Sequence, residues 1–149
     1  MLKYPSAGWT IVELRDENGK VWAGPASYLT SVHHDCLDAF IRFYQTGKPQ
    51  CIHFDAEGWD FMVIIEEFYT YLIISQEKDI LRTFEKKADD LCDELISDIE
   101  KNMYAWSRFD FSIENARDRK VEKRRIEQKI ARLKRARKLH DRTRYGNRG

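Results

Sequence analysis

Residues 51–75 have the sequence CIHFDAEGWDFMVIIEEFYTYLIIS, and this stretch decides the fold class. Its apolar runs are short and rich in β-branched and aromatic residues, which predicts strands at residues 51–54, 59–66 and 68–75. Residues 55–58 include Gly58 and predict a turn between the first two strands. Every residue from 61 to 65 is apolar, so we expect the second strand to be central, with both faces at least partly covered.

The N-terminal part of the chain predicts a β-hairpin. Residues 9–15 form another apolar run rich in β-branched residues. The pair Asn18-Gly19 follows, and both residues tolerate the positive φ that a tight hairpin turn requires. Residues 21–23 predict the returning strand, which we expect Gly24-Pro25 to end.

Two amphipathic helices are predicted to cover the strands. Ser31 is a favourable N-cap for the first helix, which Gly47 is expected to end. Residues 80–106 predict a second helix, about 40 Å long at 1.5 Å per residue. The apolar residues of this second helix recur at the spacing of three and four that one helix face requires. They are Leu81, Phe84, Ala88, Leu91, Leu95, Ile99, Met103 and Trp106.

Together these elements predict an α+β fold, with both helices on one face of an antiparallel sheet of about five strands. A linker at residues 110–114 and a charged helix at residues 117–144 follow, forming a basic C-terminal extension. We expect this helix to bury little surface, and to be marginally stable unless it docks on something, because its apolar stripe is narrow. The stripe consists of Val121, Ile126, Ile130, Leu133, Ala136 and Leu139.

Charge divides the chain near the same linker. Residues 1–113 hold 11 Lys and Arg against 20 Asp and Glu, whereas residues 114–149 hold 15 against 5. The net charge of +1 therefore conceals two oppositely charged segments, which should have different roles. We predict an acidic α+β domain at residues 1–113 and a basic helical extension at residues 114–149, with a flexible end from residue 145.

Composition also bears on the cellular location. No apolar run reaches 18 residues, and the first residues lack the charged-then-apolar layout of a signal peptide. We therefore expect a cytoplasmic protein without membrane contact. The three cysteines, Cys36, Cys51 and Cys92, have no regular spacing and are expected to be free thiols.

Packing and turn positions in the first two thirds of the chain form a characteristic pattern. The residues that carry it are Leu37-Asp38-Ala39-Phe40-Ile41, Gly47, Ile52-His53-Phe54-Asp55-Ala56-Glu57, Tyr104 and Trp106. The pattern resembles a group of small, mostly uncharacterised bacterial α+β proteins, some of which are similar to immunity proteins of toxin systems. The resemblance covers roughly residues 9–106 and excludes the basic extension. It implies a fold more than an activity, because these positions carry packing and turns rather than chemistry.

Residues 33–53 include five side chains of the kinds that bind zinc, namely His33, His34, Cys36, Cys51 and His53. No Cys-x-x-Cys pair accompanies them. In the simpler interpretation, the two adjacent histidines lie in an exposed first turn of the helix and the two cysteines belong to the core. We therefore expect no metal site and no cofactor.

The sequence contains no recognisable catalytic pattern. It lacks G-x-S-x-G, a phosphate-binding loop, G-x-G-x-x-G and H-E-x-x-H. Carboxylates cluster near the central hairpin, but without a phosphate-binding loop or a basic pocket they are a weak indication of catalysis. We therefore expect a binding protein without catalytic residues rather than an enzyme.

Acidic side chains on turns and on the second helix lead to the first functional hypothesis. Such side chains attract a basic partner surface and speed association with it. Nuclease clefts are basic because they bind phosphates, and an acidic protein can fill them. We interpret the chain as an inhibitor or immunity-like protein, such as an anti-CRISPR protein, whose expected target is a nuclease or another nucleic-acid-handling protein. The residues expected to bind the target are Asp55, Glu57, Asp60, Asp90, Asp93 and Glu94.

The basic extension leads to the alternative hypothesis. Arginine-rich helices neutralise phosphates and often become ordered on RNA, so the chain would be an accessory protein that binds RNA or DNA. The extension could instead dock on the acidic domain of its own chain or of a neighbouring chain, and the latter would give a homodimer. Its binding residues are Lys123, Arg124, Arg125, Arg132, Lys134, Arg135, Arg137, Lys138, Arg142 and Arg144.

Overall fold

The structure is a computed structural model that describes residues 1–76 and 78–146. That part of the chain contains strands and helices in the mixed order expected for an α+β protein, which confirms the predicted class. The elements are β1 (Leu2–Ser6), β2 (Trp9–Arg15), β3 (Val21–Ser27), α1 (Val32–Thr46), β4 (Gln50–Asp55), β5 (Asp60–Ile65), β6 (Thr70–Ser75), β7 (Ile80–Phe84), α2 (Ala88–Lys101), α3 (Met103–Trp106) and α4 (Ala116–Gly146).

The first sheet is antiparallel with the order β1-β2-β3. A hairpin turn joins β2 to β3 as predicted, but it spans residues 16–20, and of the pair Asn18-Gly19 only Gly19 has a positive φ, at 79°. Gly24-Pro25 does not end β3, contrary to the prediction, because edge strands tolerate proline where one side of the backbone makes no ladder hydrogen bonds. Gly24 is required by packing, since a Cβ there would lie 2.3 Å from the ring of Trp22.

The second sheet is antiparallel with the order β4-β5-β6-β7. The prediction of a central strand at residues 61–65 is confirmed, because β5 pairs on both sides. Phe61, Val63 and Ile65 are buried on its inner face, while Met62 and Ile64 are half-buried on the other. The expected single sheet of about five strands is wrong, since the chain forms two smaller sheets.

The predicted helix at residues 80–106 is also wrong. Its first part is the strand β7, and the helical part is divided into α2 and the short α3. Leu81, assigned to the buried stripe of that helix, is 64% exposed. The helices do not share one face of one sheet, because α1 packs on β4 of the second sheet and α2 packs on β1 of the first.

Helix α1 begins and ends where the sequence predicts. Ser31 is the N-cap residue, although its side chain makes no capping hydrogen bond. Gly47 is the C-cap residue in the left-handed conformation, with φ 66°, and its N–H donates to the carbonyl oxygen of Phe43 at 2.8 Å.

Helix α4 lies on α1 and completes the core, so the expectation that its apolar stripe buries little surface is wrong. Ile126, Ile130, Leu133 and Ala136 are all buried. Ion pairs also hold α4 in place, since Lys129 contacts Asp38 of α1 and Lys134 contacts Glu100 of α2, both at 2.9 Å. The extension therefore docks on its own chain, and residues before and after the linker share one core.

The C-terminal end of α4 overlaps the segment predicted to be flexible. Tyr145 and Gly146 are the last residues of the helix, and residues 147–149 lie outside the described part of the chain. Among the described residues, no helix combines the length and the apolar composition needed to cross a bilayer.

Candidate functional site

One candidate site is the face of the second sheet opposite the core. Cross-strand pairs put Met62, Ile73 and Leu81 in one row, and Ile64 and Tyr71 in the next. We call these five side chains the outer face. The first sheet and α1 contribute to the core on the other side, whereas here four of the side chains are only half-buried and Leu81 is exposed.

Acidic residues border the outer face. Asp55 and Asp60 are paired at the end of β4 and β5, and Glu57 lies in the turn between these strands. Asp60 also accepts a hydrogen bond from His53, at 2.7 Å. At the opposite end of the strands, a hydrogen bond to Glu66 raises the pKa of the Tyr71 hydroxyl. Three of the six predicted acidic residues therefore lie at one end of this apolar face.

The other three predicted acidic residues lie on α2. Asp93 is ion-paired with Arg137 of α4. Glu94 contacts Lys86 and lies 3.4 Å from the amino group of Met1. Asp90 is exposed. Asp93 and Glu94 are thus already neutralised within the chain, a role that their place in the sequence does not indicate.

The predicted basic residues fall into two groups on α4. One group makes ion pairs within the chain and consists of Lys123, Arg125, Lys134, Arg137 and Arg144. The second group is exposed and makes no ion pair with any described residue. Arg117 and Lys120 were not among the predicted residues but share these properties. With them, the second group forms what we call the basic ridge. The ridge consists of Arg117, Lys120, Arg124, Arg132, Arg135, Lys138 and Arg142.

The basic ridge is long and follows one side of a docked helix. It spans residues 117–142, which corresponds to about 38 Å along a helix axis. Ile126, Ile130 and Leu133 are buried on one side of α4, and the residues of the ridge lie on the opposite side of the helix. The docked helix therefore presents a row of cations to solvent along one side.

A buried polar cluster joins α1 to α4. His33, His34 and Glu122 are 3%, 6% and 5% exposed. The Nε2 atom of His33 lies 3.3 Å from Glu122 Oε1, and the Nε2 atom of His34 makes a closer contact with the same oxygen. Arg125 donates to the other carboxylate oxygen at 3.2 Å. Neither imidazole Nδ1 atom has a hydrogen-bond partner among the described residues.

The cluster has distinct protonation states. Burial lowers the pKa of His33, and the hydrogen bond to Glu122 only partly opposes this effect. Burial alone would raise the pKa of Glu122, but its contacts with His33 and His34 outweigh burial and lower it. Near neutral pH, Glu122 is therefore ionised and His33 is uncharged.

The structure separates the five metal-ligand candidates chosen from the sequence. His33 and His34 are buried rather than exposed, because α4 covers the first turn of α1. Cys51 is exposed on β4 rather than part of the core, and His53 lies beside Asp60. Within the described residues, the one group of three metal-binding side chains is His33 with His34 and Glu122.

Glu122 was not selected from the sequence, although a signal is present. It precedes Ile126 and Ile130 at steps of four, so it occupies a position on the apolar stripe of α4. A carboxylate at such a position inside a basic segment indicates a buried partner. The sequence does not identify that partner, because the histidines lie about 90 residues earlier in the chain.

Comparison of the chain with protein-family models, with curated proteins and with solved structures found no match. No functional residue is therefore transferred to this chain from another protein. The outer face, the basic ridge and the buried histidine cluster are the features from which we infer function.

Proposed function

We propose that this protein is a non-enzymatic binding protein that blocks a target protein through the outer face of its second sheet. The observation that carries this proposal is the apolar character of that face. The solvent side of an antiparallel sheet is usually polar, whereas this one has five large apolar side chains in two adjacent rows. Contiguous exposed apolar patches bordered by polar residues are typical of protein interaction sites.

The charges at the border favour a particular kind of partner. Asp55, Glu57 and Asp60 lie at one end of the outer face and would meet basic residues on the target. A basic surface is typical of proteins that bind nucleic acid, because it neutralises phosphates. This chemistry supports an inhibitor or immunity-like role against a nuclease or a related protein, including the anti-CRISPR version of that role.

A pair of matched substitutions tests the outer face. Leu81→Lys adds a charge to the outer face at an exposed position, and Leu29→Lys does the same at a residue that is 56% exposed outside the second sheet. With wild-type protein as bait in a nuclease-treated lysate of the source cell, we expect a target protein to be recovered. It should also be recovered with Leu29→Lys and lost with Leu81→Lys.

The border charges require a kinetic measurement on the recovered target. Asp55→Lys and Asp60→Lys should slow association with the target, and the effect should shrink at high salt. Recovery of the same proteins by Leu81→Lys and by wild type would contradict the proposed role of the outer face. Loss of a wild-type dimer in Leu81→Lys, seen by analytical ultracentrifugation without any foreign partner, would assign the face to self-association instead.

The basic ridge favours a second function, the binding of RNA or DNA. Seven exposed cations without ion pairs to described residues lie on one side of α4, and the paired cations lie closer to the core. Contact of all seven with phosphates of duplex DNA would give a slope of about −6 for log affinity against log salt concentration. In this alternative the protein is an accessory factor that binds nucleic acid through the basic ridge.

Fluorescence anisotropy with labelled duplex DNA and single-stranded RNA tests the ridge. Gln substitution of Arg124, Arg135 and Arg142 should weaken binding and reduce the magnitude of the duplex slope by about 2–3. The matched control replaces Lys48, Lys87 and Lys101 with Gln. These lysines are exposed, and their replacement removes the same charge away from the basic ridge. Equal losses in both triple variants would exclude a ridge-specific contact, and no wild-type binding at low salt would exclude the second function.

A further inference from the structure

We propose that His33, His34 and Glu122 form a binding site for one divalent transition-metal ion of the Zn²⁺ class, which joins α4 to the first turn of α1. This site differs from the set of five residues considered from the sequence, because its carboxylate comes from α4. The proposal is independent of the two binding functions above, since it concerns a buried cluster and neither the outer face nor the basic ridge.

The ligand types and their number match this class of ion. Two imidazole nitrogens and one carboxylate oxygen are ligands that Zn²⁺ accepts in four-coordinate sites. The three side chains offer ligand atoms that all lie within 4.8 Å of one another. The harder cations Mg²⁺ and Ca²⁺ prefer oxygen ligands, so two imidazoles disfavour them.

The spacing of the ligand atoms also fits. Two ligands that each lie about 2.0–2.1 Å from a tetrahedral ion are about 3.3–3.4 Å apart. The distance from His33 Nε2 to Glu122 Oε1 is 3.3 Å, which is long for a hydrogen bond to a carboxylate. His34 Nε2 is closer to the same oxygen, so its ring must move back to admit an ion.

The surroundings support Glu122 as a ligand. Arg125 donates to the second carboxylate oxygen, which leaves Oε1 directed at the histidines and fixes the carboxylate as groups around metal sites commonly do.

Room for a fourth ligand exists beside the three side chains. A pocket of about 280 Å³ is lined by all three, and also by Asp110, Asp118 and other polar residues. Asp118 lies one turn before Glu122 on α4, but it is not among the three converging residues. A water molecule in this pocket can therefore complete a four-coordinate shell.

Cobalt serves as the probe, because four-coordinate Co²⁺ absorbs visible light strongly and Zn²⁺ displaces it. Full-length protein freed of metal by a chelator is titrated with Co²⁺ and then with Zn²⁺. We expect saturation at one ion per chain, loss of the absorption on adding Zn²⁺, and a higher melting temperature with Zn²⁺ bound. His34→Gln and Glu122→Gln should each weaken binding by at least about 10-fold.

His53→Gln is the matched control, because it removes an imidazole from an exposed position that also contacts a carboxylate. It should leave Co²⁺ affinity unchanged. If the cluster variants do not fold, as judged by circular dichroism, NMR of the wild-type histidine rings decides. Co²⁺ should then broaden the signals of His33 and His34 and spare those of His53 and His140.

Two outcomes would overturn the proposal. One is the absence of a saturable one-to-one Co²⁺ spectrum in the wild type, in which case the cluster is a hydrogen-bonded anchor only. The other is binding of Co²⁺ by histidines outside the cluster. It would be seen either as broadening confined to His53 or His140, or as equal weakening of Co²⁺ binding in His53→Gln and His34→Gln. Either result would leave the tests of the outer face and the basic ridge unaffected.

Discussion

Leu133→Ala tests the docking of α4 on α1. Leu133 is 0% exposed on the buried side of α4, whereas Leu139 on the same helix is 62% exposed. Truncation of a fully buried leucine costs about 2–5 kcal/mol, because the transfer energy is lost and a cavity remains. Leu139→Ala makes the same chemical change in the same helix and should cost no more than about 0.5 kcal/mol. The comparison therefore isolates burial from helix propensity.

Urea denaturation of both variants measures the difference. Far-UV circular dichroism follows the helices, and the fluorescence of buried Trp106 adds to the signal from the core. We expect Leu133→Ala to lower the free energy of unfolding by the amount above. Its melting temperature should fall by roughly 4–20 °C, at about 2–4 °C per kcal/mol for a protein of this size. Equal, small changes in the free energy of unfolding of both variants would refute the docking of α4 on α1, and α4 would then be an independent helix.

Three further outcomes are expected. Leu91→Ala should cost about 2–5 kcal/mol in thermal unfolding while Leu81→Ala costs little, and the reverse order would contradict the division of residues 80–106 into a strand and a helix. Burial lowers the pKa of His33 in the folded protein below 6.5, so the unfolded chain binds more protons below that pH. The free energy of unfolding should therefore fall as the pH drops through 6.5. Glu122 has a lowered pKa, so its contribution to stability is lost only below pH 4.5. Urea titrations across this range check the sign, and a gain in stability on acidification would exclude a buried neutral imidazole at His33. A thiol reagent should modify Cys51 rapidly in native protein and all three cysteines after denaturation, since the other two are buried; rapid native reaction of more than one would contradict the core.

Local patterns in the sequence predicted much of the fold. Short runs rich in β-branched and aromatic residues, turn chemistry and capping residues predicted β2, β4, β5, β6, the hairpin turn at Gly19 and both ends of α1. Each of these signals is contained in a few neighbouring residues. The predicted end of β3 was wrong, because β3 is an edge strand and an edge strand can contain a proline such as Pro25.

The error at residues 80–106 has a specific cause. Leu81, Phe84 and Ala88 have the spacing of a helix face, and they precede a genuine amphipathic helix. The strand β7 is an edge strand with one buried residue, Phe84, so it has no alternation for the sequence to reveal. A pattern of three apolar residues was therefore extended across a boundary that only the pairing of Thr70 with Phe84 identifies.

The candidate site was less predictable than the fold. The acidic residues of α2 and the arginines of α4 are visible in the sequence, but the ion pair between Asp93 and Arg137 is not. The burial of His33 and His34 depends on a helix that begins about 80 residues later. The outer face could be inferred only after the two sheets were separated, because apolar residues on both sides of a strand also indicate complete burial.

The position of α4 over α1 has a consequence for synthesis of the chain on the ribosome. The sheets, α1 and α2 are complete by residue 101, yet the side of α1 that faces α4 stays uncovered until the segment through Ala136 has been added. At about 5–20 residues per second, that interval lasts roughly 2–7 s. During it the nascent chain exposes a hydrophobic surface, which is the kind of surface that general chaperones bind and that promotes aggregation. Codon choice between Asn102 and Ala136 would therefore change the yield of folded protein without changing any amino acid.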